Sequence, residues 1–278
     1  MTKISVVIPT YKPGDYLIDC LKSLEKQTID KRLFEVIIVL NGPKEPFFDK
    51  ISDLMLNIEF CSKLYYSEII GVSNARNLAL DNIKSNFIVF VDDDDVVSTG
   101  YLEGLFSLAE NGSIVISNSK IFKDDINYTS RDYTGLAFDS CKNRKRISVL
   151  RGRHFFSTCW GKLIPISVIG KTRFENKLKN AEDSVFMVEI SRNISDVIIA
   201  SDDVIYYIRV RYDSASRRRR PFVEILKSKY YEFKKYLSFY LRFPPMYNLI
   251  FVSIMIVAGL KSFIEDIYKS IRYCTEVH

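Results

Sequence analysis

The chain of 278 residues is 47% hydrophobic and 27% charged, with a formal net charge of +6. That apolar content fills a sizeable core and excludes a disordered or fibrous protein, while the basic excess is too small to indicate nucleic acid by itself. Five cysteines without a CxxC pair and two histidines leave little for a disulfide framework, a zinc site or histidine-based catalysis, and fit a reducing compartment.

Ile4–Pro9 is an uninterrupted apolar run, as expected of a strand covered on both faces of a parallel sheet, and is too short and too early for a signal-peptide core. The expected location is therefore cytoplasmic. Tyr16–Gln27 follows with Leu17, Leu21 and Leu24 at helical spacing, and Glu35–Leu40 is a second buried strand ended by the turn Asn41-Gly42-Pro43. After a short segment near Lys63–Ser67, Ser73–Lys84 carries Ala75, Leu78, Ala79 and Asn82 on one helical face. Phe87–Val91 is another buried strand running into Asp92, and a helix over Tyr101–Glu110 and a strand over Ser113–Ser117 continue the alternation. Strands separated by helices imply right-handed crossovers and a parallel sheet, which binds ligands at the carboxyl ends of its strands. Thr10-Tyr11, Asn41-Gly42 and Asp92–Asp95 are three such ends, expected to converge on one crevice.

From Ile121 to Arg153 the pattern weakens and reads as loops. Order returns at Phe155–Ile164, as a helix at Glu182–Arg192 and as a strand at Val204–Val210. Beyond the basic run Arg217–Arg220, the residues Val223, Leu226, Tyr230, Phe233, Leu237 and Tyr240 predict an amphipathic helix that also carries Lys227, Lys229, Lys234 and Lys235. The apolar run Leu249–Leu260 is shorter than the roughly 20 residues a membrane-spanning helix needs. Residues 217–278 thus read either as an interfacial membrane anchor or as helices packed on the main domain or between two copies of the chain.

Four consecutive aspartates after a buried strand repel one another, and desolvation raises their pKa values. A divalent cation bridged to a diphosphate removes the conflict, with Asp92 and Asp94 pointing the same way. The plainer alternatives are a solvated acidic loop, or Asp95 as a helix N-cap.

The run FIVFVDDDD resembles the strand and DxD motif of family 2 glycosyltransferases, which have the GT-A fold. ISVVIPTYKPGDYLIDCLKSLEKQT, GVSNARNLALD, CWGKLIP, NAEDSVF and YYIRVRYDSAS resemble further segments of that family, in its order, over residues 3–216. The resemblance implies a GT-A αβα sandwich with a mainly parallel sheet over 1–216 and a C-terminal helical extension over 217–278. It also implies inverting transfer of a sugar from a nucleotide diphosphate donor, UDP-sugar by default, to a saccharide or lipid-linked saccharide, assisted by Mn²⁺ or Mg²⁺.

Pro9, Thr10 and Tyr11 match the loop against the nucleotide base. Asn41 falls near a position where many relatives carry an aspartate that contacts uracil, which leaves the base open. Arg76 matches an arginine beside the donor, and Asp92, Asp93 and Asp94 match the DxD segment, with Asp94 and Asp92 as metal ligands. Arg209, Arg211 and Ser214 match a strand and loop that return over the donor. Asp183 matches the general base, with Glu182 as the alternative, and Trp160 and Lys162 match the acceptor pocket. Two other readings stand beside this one: an inactive sugar-nucleotide or saccharide-binding module, and a nucleotidyltransferase, against which the chain has no glycine-rich basic loop near its start.

Overall fold

The computed structural model describes residues 2–211 and 221–275. The apolar runs form β1 (Ile4–Thr10) and β2 (Phe34–Asn41), buried at every position, with α1 (Tyr16–Glu25) between them. The alternation continues through α2 (Phe47–Met55), β3 (Cys61–Ser67), α3 (Val72–Asn82) and β4 (Phe87–Phe90). Next come β5 (Val96–Val97), α4 (Tyr101–Phe106), β6 (Ser113–Ile116), β7 (Asn118–Phe122) and β8 (Thr129–Ser130). They are followed by α5 (Tyr133–Cys141), β9 (Arg146–Ile147), β10 (Lys162–Pro165) and α6 (Ile166–Ile169). The rest of the described chain is α7 (Glu182–Ile190), β11 (Asp196–Ile199), β12 (Ile205–Arg209), α8 (Phe222–Arg242) and α9 (Leu249–Thr275).

The main sheet runs β3-β2-β1-β4-β10-β6-β11-β9. Its first four strands are mutually parallel, as the crossovers require, and β6 and β11 also pair parallel. β10 enters antiparallel between β4 and β6, and β9 closes the far edge antiparallel to β11. A smaller sheet, β5-β12-β7-β8, stands beside it and brings β12 next to the segment that follows β4.

Alternate residues of the parallel strands feed two cores, because successive side chains point to opposite faces. Ile4, Val6, Ile8, Ile38 and Val89 pack with Leu17, Leu21 and Leu24 of α1 and Leu102 and Leu105 of α4. Val7, Ile37, Val39, Ile88 and Phe90 pack with Ala75 and Ala79 of α3 and with α7. The second core extends outward to Tyr236 and Phe239 of α8 and to Phe251, Val252 and Met255 of α9. The two C-terminal helices are thus docked on the main body, where Tyr236 shares a 2.6 Å hydrogen bond with Ser184 and Tyr247 donates to the Glu189 carbonyl at 2.9 Å. Among the described residues no helix is long and apolar enough to cross a membrane. The expected boundary at 216/217, the arginines 217–220 and Ser214 lie outside the described residues.

The stretch 121–153 is more ordered than its pattern suggests. Asp132 caps α5, accepting from the Thr134 and Gly135 amides at 3.1 and 2.9 Å and from the Ser119 hydroxyl of β7 at 2.7 Å. Phe138 and Cys141 then bury one side of α5. The helix is held by its cap and by β7, not by a long apolar period, which is why the sequence pattern conceals it.

Candidate active site

β1, β2 and β4 end together, and the acidic turn leaves the sheet there. The Asp95 amide bonds back to the Asp92 carbonyl at 3.1 Å, and the turn passes directly into β5, paired to β12. The four aspartates take different roles because that pairing fixes their directions. Asp95 is 3% exposed and points inward, accepting from the Arg209 amide at 2.8 Å. The Asp92 amide donates to the Tyr206 hydroxyl at 3.0 Å, and that hydroxyl also bonds the Asp95 carboxylate. Asp93 accepts from the Thr10 hydroxyl. Asp94 is paired with Arg211 Nε at 2.7 Å, while its carbonyl accepts from Arg209 Nε at 2.9 Å.

Arg76 on α3 joins this turn to the other acidic pair. Its side chain is 4% exposed and makes ion pairs with Asp92 at 3.2 Å, with Glu182 at 3.7 Å and, closer still, with Asp183. Its guanidinium also lies over the rings of Phe174 and Phe90, 5.3 and 5.9 Å from their centroids. Burial works against the guanidinium's charge, but Asp183 first, then Asp92 and Glu182, hold its pKa above the ordinary arginine value. The second oxygen of Asp183 accepts from the Cys159 amide at 3.1 Å, so both oxygens are held. Glu182 and Asp183 open α7 directly after Ala181, a non-glycine residue at φ 63°. A left-handed conformation without glycine is uncommon and marks a position that surrounding structure enforces.

Desolvation dominates the electrostatics. Burial, reinforced by neighbouring carboxylates, raises Asp92 to about 6 and Asp93 to about 7, and pushes Asp95 up as well. Glu182 rises to about 7, first through burial and then through the adjacent Asp183. Among the described residues, no three His, Cys, Asp or Glu side chains form a metal cage. Asp92 and Asp94 nevertheless supply two hard oxygen donors, with side chains 34% and 14% exposed. This fits a Mg²⁺- or Mn²⁺-like cation, which completes its shell with water and phosphate oxygens.

The remaining expected positions divide. Tyr11 is 46% exposed at the rim, and its ring packs on Gly42 so tightly that a Cβ there would lie 2.5 Å from Tyr11 Cε2. Pro9 and Thr10 do not share that access. Pro9 is buried inside β1 opposite Val39, and the Thr10 hydroxyl is committed to Asp93. Asn41 is buried, donating to the Thr10 carbonyl at 2.8 Å and accepting from the Gly71 amide at 3.0 Å, so it ties the crevice loops together.

Trp160 stacks on Tyr206 with centroids 4.9 Å apart and an interplanar angle of 14°. Lys162 does not line an acceptor pocket. It is 2% exposed and its ammonium donates to the carbonyls of Thr158 and Trp160, both at 2.7 Å, and to the Thr158 hydroxyl at 3.2 Å. Burial lowers its pKa to about 8. Sequence reasoning missed Tyr206 and the Cys159 amide. For Tyr206 a signal exists, since a tyrosine inside a buried strand needs a partner for its hydroxyl. No sequence signal points to a backbone amide.

The chain is 26% identical to the glycosyltransferase GlyA of Streptococcus pneumoniae over 230 residues, which is 77% of this chain and 32% of that protein. It is 27% identical to a poly(ribitol-phosphate) beta-glucosyltransferase of Bacillus spizizenii over 217 residues, 74% of this chain and 32% of the relative. This chain therefore spans about a third of the length of these relatives. The crystal structure of S. aureus TarS 1–349 in complex with UDP-GlcNAc superimposes with a TM-score of 0.67 at 20% identity, covering 95% of this chain and 81% of that one, which establishes the GT-A fold. Residues 5–170 match the profile described as glycosyl transferase family 2. That match covers more than half of the 278 residues, and the chain belongs to glycosyl transferase family 2.

Proposed function

We propose that the chain transfers a sugar from a nucleotide diphosphate donor, in the first instance a UDP-sugar, to a hydroxyl of a saccharide acceptor, with inversion at the anomeric carbon. The observation that carries this reading is Arg76, whose guanidinium joins Asp92 of the acidic turn to Glu182 and Asp183. One buried cation thereby couples a candidate donor site to a candidate base. The similarity to TarS, whose structure was determined with UDP-GlcNAc, supports the choice of donor.

In this reading Tyr11 packs against the nucleotide base, and Asp94 and Asp92 would hold Mn²⁺ or Mg²⁺, whose charge would offset that of the leaving diphosphate. Asp183 takes the proton of the acceptor hydroxyl as that oxygen attacks the anomeric carbon in line. The bond from the anomeric carbon to the diphosphate oxygen breaks, and its electron pair leaves with the nucleotide. Arg76 and the Cys159 amide keep Asp183 oriented, a prerequisite for proton transfer at hydrogen-bond distance. Glu182 is the alternative base. Trp160, backed by Tyr206, offers a flat surface for the acceptor sugar.

Calorimetric titration of a panel of nucleotide sugars, with Mn²⁺ and then with EDTA, tests the reading on the wild type and on Asp94→Ala. Metal-dependent binding of one UDP-sugar, lost in the variant, is expected. Metal-independent binding would remove Asp94 from the metal site. Binding of no nucleotide sugar would instead favour an inactive saccharide-binding module.

A further inference from the structure

The buried sides of α8 and α9 are explained by the body they cover, but their outward sides are also apolar. On α8, Val223, Leu226, Tyr230, Leu237 and Leu241 recur at steps of three, four or seven residues, and on α9 Ile250, Val257, Leu260 and Ile264 do the same. These nine side chains are between 44% and 66% exposed. Each helix thus has an apolar stripe on solvent in addition to the one it buries, which a helix that merely packs on a domain does not need.

The charges beside the stripes are basic. Lys227 and Lys234 on α8 and Lys261 on α9 are exposed and make no ion pair among the described residues, and they lie beside the exposed Glu265. At the start of α8 a groove of about 480 Å³ opens, lined by Lys177, Lys227 and Val223 and by Lys179 and Glu224, which pair with each other at 3.6 Å. Asn180, three residues from Asp183 in sequence, also lines it.

We propose that the outer face of the α8–α9 pair binds the surface of an anionic lipid bilayer. The apolar stripes would enter the headgroup boundary, and the lysines would meet lipid phosphates. This arrangement fits a helix lying in the interface plane, since neither helix is long and apolar enough to span. A second copy of the chain fits less well, because a two-fold interface would set this basic patch against its own copy. Combined with the function proposed above, on which this consequence rests, the lipid face makes a lipid-carried saccharide the acceptor.

Sedimentation of the full chain with phosphatidylcholine vesicles, with and without phosphatidylglycerol, tests the lipid face. The wild type is expected to sediment with the anionic vesicles, less so at high salt. The double variant Leu226→Glu/Leu237→Glu is expected to stay in solution, and Lys227→Gln and Lys234→Gln each to bind about fivefold more weakly. Circular dichroism and nucleotide-sugar calorimetry on the same proteins report folding and the donor site separately. Loss of donor binding therefore bears on the proposed function and leaves the lipid result standing. Absence of wild-type binding to anionic vesicles overturns the proposal, as does equal binding by the double variant or insensitivity to both lysine changes. A concentration-dependent dimer that the double variant abolishes, without vesicle binding, would overturn it in favour of a second copy.

Discussion

Arg76 and Asp183 stand 107 residues apart in the chain and form a buried ion pair, with Asp92 and Glu182 on the same guanidinium. α3 brings the arginine to the crevice, and the start of α7, packed in the same core as α3, brings the carboxylates. A single cation therefore faces three acidic side chains, and burial still holds two of them, Asp92 and Glu182, above the ordinary carboxylate value.

Removing that cation is expected to be costly. Arg76→Met leaves buried carboxylates unpaired and should lower stability by about 3–5 kcal/mol, the usual result of removing one partner of a buried pair. Urea denaturation measures it, and a loss below about 1 kcal/mol would mean that the carboxylates are solvated and the cluster is looser than described.

Asp183→Asn is nearly isosteric and should lower kcat by about 10²–10⁴-fold, the range for loss of a general base, with donor affinity little changed. Glu182→Gln should have the smaller effect. A larger loss in Glu182→Gln would exchange the two roles.

Gly42→Ala tests the rim. Gly42 has φ +105°, and an added Cβ would strike the Tyr11 ring at 2.5 Å. A strained backbone of this kind costs about 1–3 kcal/mol, and the ring must also move. Thermal melting should reveal the first effect and weaker nucleotide-sugar binding the second. Weaker melting with intact affinity would show that Tyr11 does not contact the donor.

Lys162→Met should destabilise the protein by about 1–3 kcal/mol, because the carbonyls of Thr158 and Trp160 lose a buried donor. The acceptor KM should hold. Its pH dependence has a defined sign. The folded-state pKa is lowered from 10.5 to about 8, so between these values the unfolded chain binds more protons than the folded one, and this residue's contribution to stability rises with pH. The stability advantage of wild type over Lys162→Met should therefore widen across that window. A constant difference would mean that the ammonium stays charged in the fold.

The residue pattern alone reveals some elements of the fold and conceals others, for physical reasons. β1, β2 and β4 were legible because strands covered on both faces admit only apolar residues. The crevice was legible because strand ends in a parallel sheet face one way. The antiparallel insertion of β10 between β4 and β6 leaves no such mark, since direction does not alter composition. α5 was hidden because its stability comes from the Asp132 cap and from β7.

What the sequence determined by itself was the alternating α/β order, the position of the acidic turn and the presence of a carboxylate pair at Glu182-Asp183, all consequences of local periodicity and residue chemistry. Only the tertiary structure decided which of these groups are free and which are committed. It turned Asp95 inward to Arg209, closed Asn41 onto two backbone loops, buried Lys162 among carbonyls and placed Arg76 between Asp92 and Asp183. Those outcomes depend on contacts between residues distant in the chain. Whether a polar side chain meets a ligand or a neighbour is set by what the fold leaves unsatisfied, and no local window of sequence contains that information.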